Sequence, residues 1–146
     1  IEADVINKIM FDTKSKKLLT LERMVLDTAE YHFDDRCMLI TITADMQNQT
    51  GCSGTDLEGL TSISRCVEGV LAGVTIKQTG DNTYKASLRT YAPLNASQIC
   101  KTLGGGGHKN AAGASLCGDL DEVKSKILSA IKQHMEEINA GSTATK

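Results

Sequence analysis

The sequence predicts an α/β fold: a central mixed β-sheet flanked by helices, with a glycine-rich GGGGH loop beside it. Three observations lead there. Segments whose apolar residues alternate with period two are interleaved with segments of helical period, not sorted into separate blocks. Two of the alternating segments, 70–76 and 84–88, are separated by Thr79-Gly80-Asp81-Asn82-Thr83, a hairpin signal. Asn95 and Asp119 each stand three residues ahead of a Gln or Glu, Gln98 and Glu122, which is the capping pattern of a helix start.

Along the chain, Val5, Ile6, Ile9 and Met10 recur at helical spacing, and a second helical pattern follows from about Ser15 to Thr28 with Leu18, Leu21 and Val25 on one stripe. Residues 1–34 are therefore expected to be a helical linker from a preceding domain, and the start at Ile1 without a methionine is read as that of a piece of a longer protein. In CMLITIT, Met38, Ile40 and Ile42 share a face and the β-branched content favours a strand. The turn-rich NQTGCSGTD then leads into an expected helix over Leu57–Cys66. Val70, Ala72, Val74 and Ile76 mark the next strand, and Tyr84, Ala86 and Leu88 the apolar face of its hairpin partner. Because successive side chains point to opposite faces, Ser87 and Arg89 must share the other one. Asn95 opens a short helix with Ile99 and Leu103 inward. Asp119 opens a long one whose buried stripe is Val123, Ile127, Ile131, Met135 and Ile138. The expected organisation is thus a linker over 1–34, a folded domain over 35–138 and a disordered small-polar tail over 139–146.

Composition narrows the function. With 40% hydrophobic and 23% charged residues the chain is globular, not disordered. A formal net charge of −2 lacks the basic surplus that grips long nucleic acid, so a nucleic-acid ligand would be short or held mainly by a partner domain. No apolar run is long enough to span a bilayer, and IEADVINKIM lacks the basic-then-apolar order of a signal peptide, so no membrane partner is expected. The five cysteines are scattered, with no CxxC and no Cys–His pair at zinc-ligand spacing. Reduced thiols in a cytoplasmic protein are expected. His32 and His134 have no partner pattern and read as surface residues, and Asp34-Asp35 reads as turn chemistry.

One segment stands apart chemically: Gly104-Gly105-Gly106-Gly107-His108-Lys109-Asn110-Ala111-Ala112-Gly113. Ordering consecutive glycines is entropically costly, and what it gains is exposed backbone. Their N–H groups can turn toward one anion as a phosphate nest, and a helical turn begun at Asn110–Gly113 would add its dipole. His108 would donate at the rim, and Lys109 and Asn110 are secondary candidates. A flexible linker is the alternative, but a linker has no need of the small, closely packing AAG that follows. Arg89 could fork onto a phosphate, with Ser87 beside it. An outward arginine on a strand is also commonly just solvated, so its weight depends on the glycines lying nearby.

GGGGHKNAAG resembles the signature of the DHH-associated domain, which follows the catalytic domain in RecJ-like and oligoribonuclease-like phosphoesterases. DLEGL at 56–60, EGVLAGVTIKQ at 68–78, KASLRT at 85–90 and GDLDEV at the last helix resemble further segments of that family. The resemblance implies a parent enzyme that cleaves phosphoesters of short RNA or 3′-phosphoadenosine 5′-phosphate with two Mn²⁺ ions. It places those ions in an N-terminal DHH domain through which a homodimer can form. No Asp-His-His occurs in this chain, so it implies no catalytic residue and no bound metal here. What it carries over is substrate binding by Arg89, Gly104, Gly105, Gly106, Gly107 and His108. The RNA-binding C-terminal domain of alanyl-tRNA synthetase, and the equivalent domains of cyclic-dinucleotide phosphodiesterases and exopolyphosphatase-related proteins, stay open as alternatives.

Overall fold

The computed structural model describes residues 2–4 and 13–144, so the expected helix through Val5, Ile6, Ile9 and Met10 lies outside the described residues. Six strands form one mixed sheet: β1 (Glu30–His32), β2 (Cys37–Ile42), β3 (Ala72–Gly80), β4 (Thr83–Thr90), β5 (Gly106–Gly107) and β6 (Ala111–Cys117), in spatial order β1-β2-β3-β4-β6-β5. Only β2 and β3 run parallel, because the chain between them makes a crossover. That crossover holds helix α2 (Ala44–Thr50) and a 3₁₀ helix (Gly54–Arg65). Helix α1 (Lys16–Leu26) precedes the sheet, α3 (Ala96–Thr102) joins β4 to β5, and α4 (Leu120–Ala144) closes the chain.

The predicted caps are formed. Asn95 Oδ1 accepts the Gln98 N–H at 3.1 Å and Asp119 Oδ1 the Glu122 N–H at 2.9 Å. Asp34-Asp35 forms the β1–β2 turn, where Phe33, Asp34 and Asp35 all take positive φ. The 57–66 segment is helical, but of the 3₁₀ kind. Leu57, Leu60 and Ile63 recur every third residue, and in a helix of three residues per turn they align on one inward ridge.

Two hydrophobic layers sandwich the sheet. Below it, Val74, Ile76, Tyr84, Ala86, Leu88 and Leu116 pack against Ile99 and Cys100 of α3 and Val123, Ile127 and Ile131 of α4. Above it, Met38, Ile40 and Ile42 pack against Leu21 and Val25 of α1 and Leu57 and Leu60 of the 3₁₀ helix. The upper layer is narrow: among the described residues it spans β2 and β3, where a Cβ on Gly73 would lie 2.5 Å from Ser64 Oγ. Beyond β3 the 3₁₀ helix reaches only the near side of β4, and on this face no described helix packs on β6 or β5.

Three outcomes differ from the sequence expectations. Residues 16–32 are part of the domain and not a linker, since Leu21 and Val25 are fully buried and β1 pairs with β2. Helix α4 continues to Ala144, through residues expected to be a disordered tail, because adding a turn to a helix already anchored by packing costs little. His134 is 6% exposed, not a surface residue: its Nε2 accepts the backbone N–H of Asn95 at 3.1 Å.

Candidate functional site: a trough on the bare half of the sheet

Strand alternation in β4 turns Lys85, Ser87 and Arg89 to the upper face, in one row. In the adjoining β6 their register partners are Ser115, Gly113 and Ala111. Beyond β6 lies β5, whose Gly106 and Gly107 pair with Gly113 and Ala112. These residues, with Gly104 and Gly105, line a trough of about 570 Å³. Arg89, Ser87 and the four glycines, singled out from the sequence, are thus brought together. His108, Lys109 and Asn110 are not in the lining; they form the exposed tip of the β5–β6 hairpin. That tip is pinned by its backbone: Lys109 O accepts from Ala96 N at 2.7 Å and Asn110 O from Thr90 N at 3.0 Å.

The glycine segment does not build the expected nest. Ala111–Cys117 is a strand and not a helical turn, so no helix N-terminus points at the trough. The Gly104, Gly105 and His108 N–H groups donate to Lys101 O at 3.1 Å, Cys100 O at 2.8 Å and Ala111 O at 2.8 Å. Because His108 and Ala111 exchange both of their bonds, ladder alternation turns the Gly107 N–H outward at the sheet edge. What the loop offers an anion is an edge N–H on a side-chain-free floor.

Sterics explain three of the four glycines. A Cβ on Gly105 would lie 2.1 Å from Gly113 O, and one on Gly107 2.6 Å from Ala112 Cα; Gly104 sits at φ +82°. Gly106 is different: its φ is unstrained and a Cβ there would meet nothing within 4 Å. The fold does not need glycine at 106. A ligand that comes close to the β5 backbone would.

Electrostatically the trough is positive. The side chains of Lys85 and Arg89 make no hydrogen bond or ion pair within the described residues, and no carboxylate lines the trough. The 3₁₀ helix start carries a fixed acidic group outside the trough lining. There the Asp56 carboxyl is held below its ordinary value, chiefly by the Ser53 backbone N–H it accepts at 3.1 Å and also by Lys17. No group of three His, Cys, Asp or Glu side chains that could hold a metal occurs among the described residues. Lys85 and Ser115 also line the trough and were passed over in the sequence reading, although the alternation that pairs Ser87 with Arg89 also includes Lys85.

Comparison with known proteins agrees with this architecture. Residues 39–137 match the family described as the DHHA1 domain. The bifunctional oligoribonuclease and PAP phosphatase NrnA of Thermus thermophilus is 30% identical over 134 residues, which is 91% of this chain and 39% of that protein. An exopolyphosphatase-related protein from Bacteroides fragilis superposes with a TM-score of 0.77 at 25% identity, over 94% of this chain and 39% of its own. A pGpG-specific phosphodiesterase from Vibrio cholerae shares the fold, with a TM-score of 0.54 at 10% identity over 82% of this chain and 40% of its own. The chain thus spans about two-fifths of the length of each.

Proposed function

Because the chain belongs to the DHHA1 domain family, we propose that it is the substrate-holding domain of a phosphoesterase acting on short RNA oligonucleotides or 3′-phosphoadenosine 5′-phosphate. The observation that carries this reading is the row Lys85, Ser87 and Arg89, which lines one trough together with the four glycines. The name of the Thermus relative supplies the substrate class.

In this reading the Arg89 guanidinium takes two phosphate oxygens side by side. The Ser87 hydroxyl and the outward Gly107 N–H add single donors, and bare Gly106 lets the nucleotide lie close to the backbone. His108 stands one residue beyond the lining, exposed and with no imidazole hydrogen bond among the described residues, and in this reading it adds a further donor to the ligand. In this reading the Mn²⁺ ions belong to an N-terminal DHH domain of the same protein, as the family resemblance implies. In this reading the chain's part is to position the phosphate.

The test is Arg89→Ala and His108→Ala in the intact protein, with Mn²⁺ content and kinetics measured together. A charge-assisted contact contributes roughly 1.5–3 kcal/mol, so each loss should weaken productive binding about ten- to a hundredfold. Metal content should stay unchanged. Wild-type kinetics in both variants would overturn the assignment.

A further inference from the structure

A second hollow continues the trough toward the 3₁₀ helix. It shares Lys85 and Ser87 with the first and adds Lys77 and Thr75 on β3, under Leu57 and Thr61. Lys77 and Lys85 are register partners across the β3–β4 pair, so two ammonium groups stand side by side on one face. Like charges directly opposite are unfavourable in a sheet, and neither lysine side chain has an ion pair or hydrogen bond within the described residues. Glu58, exposed at the rim, is the one carboxylate along the hollow and pairs with neither. A second, independent observation points the same way. Thr75 is 2% exposed, lines the inner end of the hollow, and its Oγ1 has no hydrogen-bond partner in the fold. Buried hydroxyls ordinarily have one.

We propose that Lys77, Lys85 and Thr75 form a second anion subsite, which takes another phosphate of the same ligand whose first phosphate lies at Arg89. Four residues of strand at roughly 3.3 Å each separate Lys85 from Arg89 by about 13 Å. A mononucleotide held at Arg89 does not extend that far, whereas an oligonucleotide lying along β4 does. The subsite therefore selects for chain length: it adds affinity only when the ligand carries a phosphate well removed from the first. This inference rests on the reading of Arg89 as the primary phosphate contact.

The experiment compares Lys77→Gln, Lys85→Gln and Arg89→Ala with wild type in the intact protein, using a fluorescent triadenylate and adenosine monophosphate as probes over a range of salt concentrations. Each lysine change should weaken triadenylate binding about fivefold, and Lys77→Gln, which lies outside the trough around Arg89, should leave the monophosphate unaffected. It should also make the log–log salt slope for triadenylate shallower by about 0.7, the value for one phosphate contact on a single strand. Arg89→Ala should weaken both probes. Equal loss of both probes in Lys77→Gln, or an unchanged salt slope, overturns the second subsite while leaving the Arg89 reading intact. Retention of both probes by Arg89→Ala overturns the primary reading, and the subsite with it.

Discussion

His134 Nε2, three-fifths of the way along α4, accepts the backbone N–H of Asn95 at 3.1 Å, and Asn95 is the N-cap of α3. One imidazole thus ties the last helix to the segment that leads into the glycine edge. It must be the neutral tautomer with its proton on Nδ1, because Nε2 is the acceptor.

Removing that acceptor leaves a part-buried N–H without a partner, a loss of about 1–3 kcal/mol. His134→Leu should therefore lower stability by that amount in urea unfolding with an unchanged m-value. His134→Gln, whose side-chain oxygen can accept the same bond, should recover part of it. Wild-type stability in His134→Leu would show that the contact contributes nothing.

The four glycines should separate into two classes. Gly105→Ala forces a Cβ against Gly113 O, and overpacking of this kind costs about 1–3 kcal/mol or more. Gly106→Ala meets no atom of the fold, so its stability should stay within about 0.5 kcal/mol of wild type. Its nucleotide affinity should nevertheless fall, since the methyl projects where the ligand lies. Thermal unfolding and binding measured on both variants check this. A Gly106→Ala variant that binds normally would mean that the ligand does not approach β5.

Thiol chemistry should follow burial. All five cysteines are free; Cys66 and Cys117 are exposed, while Cys37, Cys52 and Cys100 are buried. Desolvation pushes the Cys37 thiol up to about 12 and that of Cys100 up to about 11, and the thiolate is the reactive form. Titration with a chromogenic disulfide at mild alkalinity should thus count two thiols in the native protein and five in denaturant. The raised Cys37 value also has a stability consequence. As pH climbs from its ordinary 9.0 toward about 12 only the unfolded chain releases that proton, so stability falls across this window. Rapid native labelling of Cys37 would contradict the packing.

Where a segment's own periodicity matched its environment, the sequence was enough to place it. The α4 stripe from Val123 to Ile131 and the two-faced β4 are such cases. The β5–β6 hairpin was not legible. Its strands are glycine and alanine with almost no apolar alternation, and they become strands because β4 supplies an edge on which small residues can pack closely. Strand β1 is too short to show a period, and its identity comes from pairing with β2. At the site, Arg89 and Ser87 could be read from alternation within one strand. The opposition of Lys77 and Lys85 could not, since it depends on the hairpin register and on the irregularity between Gln78 and Gly80.

The sheet ends in very short strands on both sides, three residues at β1 and two at β5. Edge strands present unpaired backbone groups, and long flat ones recruit other chains. Here the flank beside the ligand trough offers only Gly106 and Gly107, and its tip turns away at His108. Such a rim is too brief to template a foreign strand. The protein can therefore leave the trough side of its sheet open without opening a route to fibril growth or aggregation.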